Sequence, residues 1–288
     1  MKKVIQMQKR ILGKTNEKLS ILGMGGIVVM NLEQKKANSI VAQAIDRGIN
    51  YFDVAPSYGD AEIKLGNALR GKRDKVFLAC KTDGRTKQDA EKELTESLKR
   101  VGTDHFDLYQ LHAMTTQEEF EKVTGPNGAL ETFVKAQKDG LIRYIGFSAH
   151  SDKIAIQLMD AFDFDTILFP INWVLTFNEN FGPAVIEKAR SKHMGILAIK
   201  ALALTTKPKD DDRHPKSWYT PIEDPKLAEL SLRYTLSQPI TAAIPPGDER
   251  LFPMAMEIAE KFTPITEEEI EYLKARAIGL ETIFQSNL

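Results

Sequence analysis

Four polar side chains stand where short apolar runs of this chain end: Asp53 and Tyr58 in residues 49–59 (Ile-Asn-Tyr-Phe-Asp-Val-Ala-Pro-Ser-Tyr-Gly), Lys81 in 76–82, and His112 in 106–112. A carboxylate at the end of an apolar strand is costly to bury without a partner. A tyrosine beside it donates a proton near neutral pH only if its pKa is brought down. Lys81 is the cation both require: an ammonium between them neutralises Asp53 and draws the phenol down from about 10. His112 could then donate the hydrogen bond that orients a carbonyl oxygen. For any one of these residues a plainer reading holds, with an Asp–Lys salt bridge closing the site, His112 bonded to backbone and Tyr58 packed as an amphipathic ring. Four polar groups at neighbouring strand ends weigh against it, because burying polar groups without use is destabilising.

The elements that must position them alternate. Apolar runs at 19–22, 49–55, 76–82, 106–112, 142–149, 166–172, 195–201 and 240–245 are rich in Ile, Val, Leu and Phe, as strands covered on both faces are. Between them the 3.6-residue period predicts helices at 33–47, 60–70, 86–100, 128–139, 152–162, 180–193, 226–237 and about 250–261. Gly48, Gly71, Gly102 and Gly140 stand just past helix ends, where a left-handed cap favours glycine. Eight strand–helix units predict a (β/α)8 TIM barrel rather than a doubly wound sheet. Residues 1–18 are expected to form a two-stranded cap around a turn at 13–16, and a ninth helix opens at Thr266 with a capping box and ends near Gly279. The chain is read as one domain over 1–288, with the barrel core at 19–262 and the C-terminal helix and tail at 263–288. Strand alternation turns Asp53, Tyr51 and Ile49 inward, with Lys81, Ala79 and Phe77, and with His112, Gln110 and Leu108. The polar members gather at the C-terminal rim, and Cys80 faces the helices as an inert core residue. Segment 202–225 is longer than a barrel requires and carries a charged run before Trp218 and Tyr219; it is either a surface flap or a substrate-contacting one.

With 288 residues, 42% hydrophobic and 27% charged, and a formal net charge of −1, the chain has the composition of an enzyme-sized globular protein and no basic surface for nucleic acid. Neither an apolar signal core of roughly 7 to 15 residues nor a span of about 18 is present, so no membrane partner is expected and the cytoplasm is the expected compartment. One cysteine, Cys80, excludes an intrachain disulfide, and the five histidines lack metal-motif spacing.

The chain resembles the aldo-keto reductase family. The likeness runs over about residues 10–262 and rests on 10–15 (Arg-Ile-Leu-Gly-Lys-Thr), 22–26 (Leu-Gly-Met-Gly-Gly), 50–59, Lys81-Thr82, 107–112 (Asp-Leu-Tyr-Gln-Leu-His) and 142–148 (Ile-Arg-Tyr-Ile-Gly-Phe-Ser). The resemblance implies a carbonyl reductase or alcohol dehydrogenase for a small aldehyde, ketone or alcohol. NADP(H), or else NAD(H), would lie across the rim without a Rossmann fingerprint. By the match Tyr58 is the acid/base, Lys81 and Asp53 set its pKa, and His112 orients the carbonyl. Gly25, Gly26 and Ser148 fall in matching blocks. Family members commonly hold the carboxamide with a Ser-Asn pair and a Gln; here Ala149 replaces the Asn and no Gln follows, so Asn172 or His150 must substitute. Beyond the eighth strand Gly247 and Arg250 are the phosphate contacts on offer, with Asp248 and Glu249 bringing unfavourable charge. Lys200 would reach a pyrophosphate or a carboxylate, or else pair with a loop acid. No metal and no iron–sulfur cluster is expected, and a monomer is. A weakly active nucleotide-binding sensor on the same barrel is the competing reading, and Schiff-base chemistry at Lys81 a third.

Overall fold

The structure, a computed structural model, describes residues 7–288. An antiparallel hairpin, β1 (Lys9–Ile11) with β2 (Lys18–Ser20), opens the described chain. Eight parallel strands follow: β3 (Met24–Gly25), β4 (Tyr51–Asp53), β5 (Phe77–Thr82), β6 (Phe106–Met114), β7 (Ile142–Ala149), β8 (Thr166–Pro170), β9 (Gly195–Ile199) and, after a second hairpin, β12 (Ala242–Ala243). Each pairs with the next in that order. The ring is closed where Leu22 bridges Ala243 and the Gly23 amide donates to the Ala243 carbonyl at 2.9 Å. The second hairpin, β10 (Ala203–Thr206) with β11 (Tyr219–Pro221), lies within the 202–225 segment.

Helices α1 (Gln34–Asp46), α2 (Ala61–Ala68), α3 (Lys87–Val101), α4 (Gln117–Thr124), α5 (Ala129–Lys138), α6 (Asp152–Ala161), α7 (Trp173–Glu179), α8 (Pro183–Ser191), α9 (Pro225–Ser237), α10 (Phe252–Glu260) and α11 (Glu267–Ala277) flank the sheet. The strands are buried on both faces, which is why their runs are apolar throughout. In β5, Phe77 and Ala79 pack inside the barrel while Leu78 and Cys80 pack against the helices. That alternation sends Lys81 inward.

Four expectations need correction. Leu19 belongs to the hairpin, and the first barrel strand starts later, after Leu22. Leu12 and Leu19, both fully buried, instead fill the barrel interior from below with Tyr51, Leu108, Leu168 and Leu197. Ile49 packs with the outer layer, because ladder pairing begins only at Tyr51, opposite Phe77, and strand alternation does not hold before that point. Segment 113–127 holds a helix, α4, whose capping box joins Thr116 to Glu119. Segment 166–193 holds two helices, α7 and α8, rather than one. The cap was expected from residue 1; residues 1–6 lie outside the described residues. Its turn fits closely: at Gly13, with φ +51°, an added Cβ would stand 2.2 Å from the Gly195 nitrogen, so only glycine lets the hairpin seat on the start of β9.

Candidate active site

Asp53 ends β4 and is 2% exposed. It pairs with the Lys81 ammonium, accepts from Gln110 Nε2 at 3.0 Å, and receives a long contact from the Tyr51 hydroxyl at 3.4 Å. The register explains the grouping, since Lys81 on β5 lies beside Gln110 on β6. Burial works against the Lys81 ammonium, but the Asp53 charge overcomes it and holds the lysine above its ordinary range. After Asp53 the chain turns through Pro56 and brings Tyr58 back over the pair, with the Lys81 nitrogen 5.1 Å from the centre of the phenol ring.

The Tyr58 hydroxyl lies 3.4 Å from His112 Nε2, and His112 Nδ1 lies 2.7 Å from a carboxylate oxygen of Asp83. A carboxylate accepts only, so Asp83 fixes the proton on Nδ1 and leaves the Nε2 lone pair towards the phenol. Tyr58 is thus a hydrogen-bond donor to His112, which in this tautomer has no ring N–H left to orient a carbonyl as expected, and the row Tyr58–His112–Asp83 forms a continuous path for a proton. Asp83 is held below its usual range: burial opposes this, and the hydrogen bonds from His112 and Ser57, with the charge of Arg85, prevail. The expectation of a lowered phenol does not hold in this structure. Burial pushes Tyr58 up, and the pull of Lys81 only partly offsets it, so the phenol keeps its proton until a more basic oxygen, such as an alkoxide, stands beside it.

Asp53, Tyr58, Lys81 and His112 open onto a cavity of about 320 Å³ lined also by Gly25, Ile27, Leu168, Ile199, Ile244 and Pro245. Ser148, Lys200 and Gly247 line it too. Two residues at its rim hold left-handed backbone, Ala113 at φ 51° and Lys200 at φ 66°. Strain of this kind gathers at functional sites. Ser148 Oγ secures the first by accepting from the Ala113 amide at 2.7 Å. His150 lines the same space; burial, with the charge of Lys200, pushes it down to about 3, so it is neutral.

Several residues singled out from the sequence sit elsewhere. Asn172 is buried as the N-cap of α7: its oxygen accepts from the Leu175 amide at 2.9 Å and its nitrogen donates to the Lys200 carbonyl at 3.0 Å, so its amide is committed to backbone. Gly26 is not part of the cavity lining; an added Cβ there would meet Val54 Cγ2 at 2.8 Å. Gly25 and Gly247 do line it, and a Cβ at Gly247 would fall 2.3 Å from Ile27. Arg250 turns away from the cavity to bond Asp248 and the Arg213 carbonyl. The acids feared as repulsive are compensated. Burial opposes ionisation of Asp248, but Arg250 and His214 hold it well below the usual carboxylate range. Glu249 is paired with Lys36 at 3.0 Å and Lys216 at 2.9 Å. The Lys216–Glu249 pair, the 2.7 Å contact of His214 to Asp248 and the Arg250 bond to the Arg213 carbonyl strap segment 202–225 to the loop after β12. The sequence reading missed Asp83 and gave Gln110 no role. Gln110 was already placed on the inward face beside His112, whereas Asp83, in a loop, carried no periodic signal. Among the described residues, no group of three or more His, Cys, Asp or Glu side chains is arranged to hold a metal ion. No described helix is long and apolar enough to cross a membrane.

The barrel thus carries a buried Asp–Lys pair, a phenol and an imidazole together at its C-terminal rim. A profile described as the aldo/keto reductase family matches residues 21–275. The Bacillus subtilis protein named uncharacterized oxidoreductase YqkF is 27% identical over 303 residues, spanning 93% of this chain and 96% of its own. L-galactose dehydrogenase of Arabidopsis thaliana is 25% identical over 262 residues, 81% of each chain. The solved structure of aldo-keto reductase AKR11C1 from Bacillus halodurans, in its holo form, superimposes with a TM-score of 0.74 at 22% identity, covering 96% of this chain and 99% of that one. The chain belongs to the aldo/keto reductase family of oxidoreductases.

Proposed function

We propose that this protein reduces small aldehydes or ketones to alcohols, or runs the reverse reaction, with a nicotinamide dinucleotide, NADP(H) in preference to NAD(H). The observation that carries this reading is the meeting of the buried Asp53–Lys81 pair with the Tyr58–His112–Asp83 row beside one apolar-walled cavity.

The cavity suits the nicotinamide end of such a cofactor. Its walls are aliphatic, and at Gly25 and Gly247 any side chain would crowd Ile244 or Ile27. Ser148, His150 and Lys216 would hold the cofactor there. A neutral imidazole offers one donor and one acceptor, as a carboxamide requires, so His150 takes the place that Asn172 cannot. When bound, the nicotinamide supplies a hydride to the carbonyl carbon. As the oxygen gains charge, Tyr58 gives it a proton, His112 and Asp83 keep the phenol oriented, and Lys81 stabilises the phenolate left behind. The Asp53 carboxylate holds Lys81 charged for that purpose.

Titration with NADPH and NADH, followed by a panel of aldehydes and ketones, tests the reading. It predicts saturable binding of NADPH and carbonyl-dependent loss of its absorbance. Tight binding without turnover across the panel would make the protein a nucleotide sensor, and no binding of either nucleotide would refute the proposal.

A further inference from the structure

Lys200 is the cation of the cavity that the chemistry above does not use. Of the other lysines in its lining, Lys81 is paired with Asp53 and Lys216 with Glu249. Among the described residues, no carboxylate comes within 4.0 Å of the Lys200 ammonium. The loop acid that might have satisfied it is absent. Its nitrogen lies instead 4.9 Å from the ring centres of both Trp218 and Tyr219. Cation–π contact of this kind steadies an ammonium without neutralising it. The backbone beneath is fixed despite its left-handed φ, because the Lys200 carbonyl accepts from Asn172 Nδ2 at 3.0 Å and from the Ala203 amide at 2.9 Å. The only acid in the lining is Asp53, already paired, so the cavity presents a pre-positioned, uncompensated positive charge. The Lys200 charge acts on His150, and the ammonium feels in turn the charge of Lys81, the cation beside Tyr58.

We infer that Lys200 anchors a carboxylate carried by the substrate, so that the carbonyl compounds this enzyme takes are short aldehyde acids or keto acids. The inference rests on the carbonyl-reductase reading above and adds the substrate class to it. Trp218 and Tyr219 are then the wall along which the chain between carbonyl and carboxylate lies. The titratable and charged groups around Lys200 in the same cavity are Asp53, Tyr58, Lys81, His112, His150, Lys216 and Tyr219. Burial and the like charge of Lys81 push Lys200 down to about 8. Preference for the acid therefore fades above about pH 8, as the ammonium is lost.

The test compares 4-oxobutanoate with its methyl ester, a pair differing in charge at one end, in the wild type, Lys200→Met and Lys200→Arg. A charge-assisted contact predicts a wild-type kcat/KM ratio in favour of the acid on the order of 10- to 100-fold at pH 7. Lys200→Met, whose side chain can still pack between the two rings, should bring the ratio close to one, and Lys200→Arg should restore part of it. NADPH affinity, measured by fluorescence, should move less than about threefold. A wild-type ratio near one overturns the inference. So does a Met variant that keeps the preference, or one that weakens NADPH tenfold while the ratio survives, since Lys200 would then serve the pyrophosphate. No turnover of either compound while other carbonyls of the panel are reduced overturns the inference alone; no turnover of any carbonyl, with NADPH still bound, removes the carbonyl-reductase reading and this inference with it.

Discussion

Removing the Lys81 ammonium should expose how the site is built. In Lys81→Met the apolar stem is kept, but Asp53 remains 2% exposed with only Gln110 at 3.0 Å and Tyr51 at 3.4 Å as donors. Breaking one partner of a buried ion pair costs about 3–5 kcal/mol, and the surviving Gln110 bond places this case near 3. With a urea slope of about 3 kcal/mol/M, at the upper end for small proteins, that is a drop of about 1 M in the unfolding midpoint. The double variant Lys81→Met/Asp53→Asn removes the orphaned charge and should regain about 2 kcal/mol of the loss. Turnover should stay absent in both, because neither has a cation beside Tyr58. Urea unfolding followed by far-UV circular dichroism, with turnover measured on the same preparations, separates the two roles. A single variant within about 1 kcal/mol of wild type, or a double variant no more stable than the single, would refute the argument that Asp53 is a buried charge held by Lys81.

Three further outcomes are expected. Asp83→Asn frees the His112 tautomer and should lower kcat by about 10- to 100-fold while leaving KM for a neutral carbonyl near wild type, a split read from steady-state kinetics. Because burial raises Tyr58 above its ordinary value and an acid acts while protonated, the rate of reduction of an uncharged carbonyl should stay level up to about pH 10 and fall only beyond it. A fall beginning near pH 8 in the pH–rate profile would contradict this. Leu12→Ala, which empties a fully buried site in the plug below the barrel, should cost about 2–5 kcal/mol of stability by urea unfolding.

Alternation of apolar residues was enough to place Lys81, Gln110 and Asp53 on one inner face, because the period of a strand is imposed by its backbone. It failed at Ile49, outside the ladder, and at Leu19, which a run of apolar letters cannot distinguish from a barrel strand. Helix α4 was legible in the Thr116–Glu119 spacing but is only eight residues long, too short to show a clear stripe. The role of Asn172 depended on where α7 begins, and the companion of His112 on the path of a loop. Neither leaves a periodic trace. The direction of the Tyr58 shift is the sharpest case: the neighbouring ammonium was visible in the sequence, whereas the burial that outweighs it is a product of the fold.

The central claim is that Tyr58 delivers the proton at this site. Single-turnover oxidation of bound NADPH by a carbonyl substrate, in wild type and in Tyr58→Phe, tests it most directly. The ring and its packing are retained and only the hydroxyl is lost, so nucleotide binding should persist while the rate falls by about 10²- to 10⁴-fold. A wild-type rate in Tyr58→Phe would contradict the account.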